Sequence, residues 1–264
     1  MAWLGRQPFR RVFDRCILVL ALAGLWPLLR ASGIRSLTEL GYVRNHKWWR
    51  HALIGLLLGV ISFAAAGAIL VALGTRNFKE GLEGSELISS ISKFALIGVV
   101  VALIEETFFR GGLQGVLQRR YRLAVAVAII SAVYSVVHFL KPQGADVSAS
   151  AVTWLSGFDY LWQVIPRSWH QPGAGCGFVT LWLAGCVLGV AFVETGALYL
   201  SIGIHAGWVL ALKSFAFCTT SVIMRKPAWW MRDDPISNPL VWPVFLILLA
   251  LVYWLCRNKL RSLR

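Results

Sequence analysis

Long apolar runs alternate with short polar and basic segments along this chain. A bilayer core of roughly 30 Å needs about 20 apolar residues in a helix that rises about 1.5 Å per residue. Runs of that kind cover residues 52–73, 88–104, 123–140, 177–193, 197–215 and 238–256. The run 16–29 is shorter, and Pro27 interrupts its end. The stretch 148–165 mixes apolar residues with Asp159, Tyr160, Trp154 and Trp162, which gives it an interfacial character. The pattern predicts an all-α fold: a polytopic integral membrane helical bundle with six to eight membrane helices. Residues 1–264 show no internal repeat, low-complexity tract or linker, so they read as one membrane domain.

Composition strengthens this picture. Hydrophobic residues make up 58% of the chain and charged residues only 14%, against about 25% charged in soluble domains. A disordered chain is excluded and an ordinary soluble globule disfavoured. The net charge of +14 sits in short basic clusters between apolar runs. A nucleic-acid partner would call for one basic face instead, so none is expected. Trp48-Trp49 and Trp229-Trp230 flank spans, as interfacial indoles do. Five cysteines without a Cys-x-x-Cys pair read as small buried hydrophobes. Arg6, Arg10, Arg11 and Arg15 precede 16–29 in the manner of a secretory signal. The cleavage pattern is poor and further spans follow, so the segment is read as part of the mature protein.

Seven full crossings with the C-terminus inside would leave twelve basic residues inside and eleven outside, which decides nothing. If 16–29 does not cross fully, the four N-terminal arginines move inside and the count becomes sixteen against seven. Both termini are therefore expected to be cytoplasmic.

Ionisable side chains inside a membrane are costly and mark functional positions. Four sites stand out: Glu105-Glu106-x-x-x-Arg110-Gly111, Tyr134-x-x-x-His138, His205, and Lys213 two helical turns later. Glu106 and Arg110 are i,i+4, in the order that favours an ion pair. Glu105 is rotated about 100° from Glu106 and faces a different neighbour. One carboxylate is thereby neutralised while the other stays available for chemistry. The plainer reading of this cluster is a solvated helix end, against which Phe108, Phe109, Gly111 and Gly112 continue an apolar, close-packing surface.

A lone histidine on an apolar helix is more often packed than catalytic. Two of the five lie mid-span, however, while His46, His51 and His170 lie near span ends or in loops. With the intramembrane glutamate, His138 and His205 predict a shared polar cavity suited to a general base. Tyr134 and Ser201 each lie one turn before a histidine, where the hydroxyl either orients the ring or bonds a local helix carbonyl. Lys213 is expected to snorkel to the nearby surface.

Glu105-Glu106-x-x-x-Arg110, an aromatic four residues before His138, and His205 after Thr195-Gly196-x-Leu198 resemble the motifs of a known family. It is the CAAX protease and bacteriocin-processing (CPBP, or Abi) family of intramembrane endopeptidases, and the likeness covers residues 94–213. The resemblance implies that Glu105, with His138, deprotonates a water for attack on a scissile carbonyl. It implies that His205 donates to the developing oxyanion, and that Glu106 and Arg110 hold the helix and cavity geometry. Tyr134 replaces the family's usual Phe, a mild change. Val209 stands where the family often has Asn or Asp, and valine neither donates to an oxyanion nor binds metal.

Some of the family are described as metalloproteases, and Glu105, His138 and His205 are zinc ligands by type. Metal-free catalysis and a divalent metal such as Zn both stay open. No His-Glu-x-x-His, Gly-x-Ser-Gly or Gly-x-Gly-Asp motif is present, which disfavours other intramembrane proteolytic chemistries. The implied partners are the lipid bilayer and a membrane-associated peptide or protein substrate. Short loops suggest a minimal enzyme of the bacterial cytoplasmic (inner) membrane, acting on something other than a prenylated CAAX protein. Two other classes stay open. One is a non-enzymatic immunity or scaffold protein that retains the polar cluster, which Val209 favours. The other is a proton-coupled transporter, against which the lack of repeats counts.

Overall fold

The structure is a computed structural model that describes residues 9–43, 48–139, 147, 152–222 and 230–260. Among them, helices make up nearly all the regular structure: α1 (Phe9–Ala31), α2 (Trp48–Ala72), α3 (Gly84–Glu106), α4 (Leu123–Phe139), α5 (Ser156–Trp169), α6 (Ala174–Thr195), α7 (Tyr199–Cys218) and α8 (Trp242–Leu255). Helix α3 continues through a π-helical stretch, Thr107–Gln114, and a last turn, Gly115–Leu117. Six stretches are long and apolar enough to cross a membrane: Arg11–Ala31, Trp48–Ala72, Gly84–Leu117, Ala174–Thr195, Tyr199–Cys218 and Pro239–Asn258. Leu123–His138 is apolar but shorter. The protein is an all-α integral membrane bundle.

Two segments differ in detail from the apolar pattern. The run 16–29 lies inside a 23-residue helix, because residues 9–15 continue it and Pro27 is accommodated within it. The interfacial segment begins its helix only at Ser156; residues 148–151 lie outside the described residues. At 14 residues, α5 is about 21 Å long and too short to span. It buries Ser156, Tyr160, Val164 and Ser168, one residue per turn, and exposes Phe158, Trp162 and Trp169. That is the two-faced pattern of a helix lying in the interface. Of the basic residues used to orient the chain, Arg6, Arg44, Lys47, Lys141, Arg225, Lys226, Arg261 and Arg264 lie outside the described residues, as do His46 and Trp229.

Helices α6 and α7 form the centre. Every residue from Leu200 to Trp208 is buried. In hydrocarbon, helices associate by close packing, and small residues at the contact let the backbones approach. Gly55 and Gly59 of α2 face Gly203 and Gly207 of α7 in this way. A β-carbon at Gly203 would collide with the Ala52 carbonyl, and one at Gly59 with the Ile204 carbonyl. Gly98 brings α3 against the Ala206 carbonyl. A short antiparallel ribbon, β1 (Arg76–Phe78) on β2 (Thr219–Ser221), ties the ends of α2 and α7 together. The five cysteines are all free; Cys186 and Cys256 are buried, while Cys16 is exposed.

Candidate active site

The Thr195-Gly196-x-Leu198 motif makes the tight connection from α6 to α7. Gly196 adopts φ 65°, a left-handed helix cap that a side chain would strain. The Thr195 hydroxyl donates to the Ala191 carbonyl at 2.6 Å, and the Leu198 N–H donates to the Gly41 carbonyl at 2.9 Å. This turn sets α7 antiparallel to α6 and carries His205 to the level of the glutamates.

Helix α3 delivers both carboxylates just before its π-helical stretch. Such a widening is found frequently at functional sites. Here it lies beside a column of buried polar residues, Glu106, Arg110 and Gln114, spaced four apart. Arg110 Nη1 meets Glu106 Oε1 at 3.3 Å, with both side chains fully buried. Its Nη2 donates to the Gly185 carbonyl at 3.3 Å, and Gln114 Nε2 donates to the Gly189 carbonyl at 3.2 Å. Gly185 and Gly189 match the four-residue spacing from the α6 side. A β-carbon at Gly189 would stand 3.0 Å from Gln114 Oε1. The burial of Glu106 and Arg110 excludes the solvated helix end.

Glu105 points the other way. Its Oε2 lies 3.1 Å from His138 Nε2 and 3.8 Å from His205 Nε2, and its side chain is 27% exposed. His205 Nδ1 lies 2.8 Å from Glu106 Oε1, so His205 bridges the two carboxylates. His138 Nδ1 donates to the Tyr134 carbonyl oxygen at 3.0 Å. The Tyr134 ring lies 4.0 Å from the His138 ring, centroid to centroid, and the Arg110 guanidinium sits over it at 4.7 Å. Tyr134 therefore positions His138 through its backbone and ring. The Ser201 hydroxyl turns to the Leu198 carbonyl and does not touch His205.

These hydrogen bonds restrict the protons. A carbonyl oxygen only accepts, so His138 carries a proton on Nδ1 and its Nε2 faces the Glu105 carboxylate. His205 in the same way offers an Nδ1–H to the Arg110-paired Glu106, leaving Nε2 towards the cavity.

Glu105, Tyr134, His138 and His205 line one cavity of about 380 Å³, together with Val209 and Lys213. Lys213 is half-buried on its wall. A second hollow of about 220 Å³ lies on the α1 side of the same pair, lined by Glu105, His138, Asp14 and Ile17 among others. His51 lies in the first turns of α2, near a helix end as expected, but is buried. Among the described residues no group of three His, Cys, Asp or Glu side chains is arranged to hold a metal ion. Glu105 and His138 close on each other, and no step below runs through a metal.

Sequence reasoning missed Gln114, Gly185 and Gly189. Their signals were present: the four-residue continuation from Glu106 through Arg110, and the Gly-x-x-x-Gly pair in α6. No curated protein and no solved structure matches the chain. Residues 87–211 match the family described as type II CAAX prenyl endopeptidase Rce1-like. That segment contains both glutamates, Arg110, Gln114, Tyr134, His138 and His205. The matched stretch is 125 of the 264 residues, and over it the chain is similar to the Rce1-like family of CAAX endopeptidases.

Proposed function

We propose that the protein is an intramembrane endopeptidase that hydrolyses a peptide bond of a membrane-associated protein or peptide. The observation that carries this reading is the 3.1 Å contact between Glu105 and His138 on a cavity wall, beside a sealed Glu106–Arg110 pair. In the mechanism, His138 begins with a proton on Nε2, facing the ionised Glu105. The Glu105 carboxylate takes a proton from a water, whose oxygen attacks the scissile carbonyl. The tetrahedral intermediate collapses as His138 gives its Nε2 proton to the leaving amine. The proton on Glu105 then returns to His138, and the product acid loses its proton to the amine. His205 turns its Nε2 to the same cavity, and in this mechanism a proton on that nitrogen is donated to the oxyanion. Glu106 and Arg110 are positioning residues that hold His205 and the end of α3. Val209 offers no second donor, so α7 stabilises the oxyanion through His205 alone.

Six crossing stretches would bring both termini to one side, and we place that side in the cytoplasm of a bacterial cell. The test is cleavage of a library of membrane-tethered peptides by purified protein and by the Glu105→Gln and His138→Ala variants. General acid–base groups contribute about 10²–10⁴-fold, and each variant should lose activity on that scale. Undiminished cleavage by both would remove the catalytic assignment. No cleavage by the wild type would favour a non-enzymatic membrane protein, the reading that Val209 supports.

A further inference from the structure

Five arginines gather at one corner of the bundle, outside the site described above. Arg30 lies in the last turn of α1 and Arg35 follows it, while Arg119, Arg120 and Arg122 lie in the turn between Leu117 and α4. The two segments touch. Arg119 Nη1 donates to the Ser32 carbonyl at 2.6 Å, and Ile34 packs against Val116.

All five arginines are exposed. Among the described residues, Glu39 is the one carboxylate within 4 Å of any of these guanidinium groups, and it meets Arg119 at 3.9 Å. The same Glu39 oxygen accepts the Arg35 backbone N–H at 3.0 Å. Arg30 lies over the Trp26 ring, 4.8 Å from its centroid. Five cations around one shared carboxylate repel each other across the contact of the two segments, and a bound anion relieves that repulsion.

Position identifies the anion. Arg30 stands at the end of one apolar stretch and Arg122 directly precedes the apolar helix α4, so the patch lies where hydrocarbon gives way to headgroups. On its membrane side, Trp26, Leu28 and Leu123 turn apolar side chains outwards. A phospholipid supplies both complements: acyl chains for that apolar surface and a phosphate for the arginines. The planar guanidinium fork matches phosphate oxygens two at a time, and basic pockets between membrane helices hold anionic headgroups for this reason. A choline headgroup brings a cation of its own and neutralises less.

We propose that a net-anionic phospholipid binds across this corner, its headgroup bridging Arg30 and Arg35 to Arg120 and Arg122. The site does not depend on the peptidase reading. It matters most to α1, of whose apolar stretch 12% is buried: the lipid adds a tie between this thinly held helix and the end of the helix that bears the glutamates.

The experiment follows a tail-labelled phosphatidylglycerol on the detergent-solubilised full chain by fluorescence anisotropy. Unlabelled phosphatidylglycerol and phosphatidylcholine with the same acyl chains compete against it. One arginine at an anionic surface is worth about fivefold, so phosphatidylglycerol should be the stronger competitor by about tenfold or more. Arg30→Gln with Arg35→Gln, and Arg120→Gln with Arg122→Gln, should each cut that preference about fivefold or more. Arg15→Gln with Lys79→Gln removes two exposed cations elsewhere and should leave it intact.

A folding defect weakens both lipids together and leaves their ratio standing. The site is overturned if wild type takes the two lipids equally, or if neither arginine pair alters the preference. It is also overturned if the control pair abolishes the preference as fully, since the charge would then act from the whole surface. An effect confined to one arginine pair overturns the bridge. Inorganic phosphate that competes as well as phosphatidylglycerol overturns the phospholipid as the occupant. Binding is read without cleavage, so failure of the peptidase reading and failure of the lipid site are separate results.

Discussion

Towards α6, the polar groups at the end of α3 are enclosed. Glu106, Arg110 and Gln114 are buried, and Arg110 and Gln114 reach α6 carbonyls. Towards α4, Glu105 is partly exposed, borders two hollows and meets His138 and His205 across open space. Adjacent residues of one helix thus serve different purposes. The enclosed side uses its charges to hold three helices in register. The open side keeps a carboxylate reachable by water, at the cost of leaving it less firmly packed. A buried carboxylate beside an arginine is a structural member; the one that faces the cavity is the reagent of the proposed mechanism.

The sharpest way to break this contrast is to alter the two glutamates in parallel. Removing Glu106 leaves a buried guanidinium without its counter-ion, a loss of about 3–5 kcal/mol. Glu106→Ala should accordingly unfold in detergent at a markedly lower temperature, and a thermal melt followed by circular dichroism reads this directly. Glu105→Gln, by contrast, should melt within a few degrees of wild type while losing cleavage. If the two variants melt alike, the division between enclosed and open sides is wrong.

A second change sharpens the open side alone. Val209→Asn adds a hydrogen-bond donor one turn beyond His205. One such donor is worth about 10²–10³-fold in acyl-transfer enzymes, so a gain in kcat of tenfold or more is expected in peptide cleavage assays. A fall in kcat would show that the oxyanion develops elsewhere. The smallest effect is expected from Tyr134→Phe, because the carbonyl and ring of Tyr134, not its hydroxyl, hold His138. A reduction in kcat/KM of less than about threefold is the expected result, and a larger loss would place the hydroxyl in the chemistry.

Much of this arrangement is legible in the residues. Apolar run length locates the helices because the bilayer imposes a length, and the i,i+4 rule pairs Glu106 with Arg110 and turns Glu105 elsewhere. The π-helical stretch Thr107–Gln114 is not legible in the same way, since its composition fits an α-helix and only tertiary packing selects the wider turn. Lys213 illustrates another limit. Its sequence position near the end of an apolar run suits snorkelling, and only the assembled wall of α3, α4, α6 and α8 reveals a cavity beside it. Gln114 escaped notice because an uncharged amide draws less attention than a charge, although its burial demands a partner just as firmly.

Glycines 203 and 207 have a consequence for how this helix can vary. At about 100° per residue they project roughly opposite to His205 and Val209. One side of α7 therefore admits no larger residue without prising α2 away, whereas the other borders empty space. Inherited change in α7 is channelled to the cavity side, where Val209 already departs from the usual residue and Lys213 stands. Divergent relatives should keep the small residues and the histidine while exchanging positions 209 and 213, so that the helix changes its diet without changing its place.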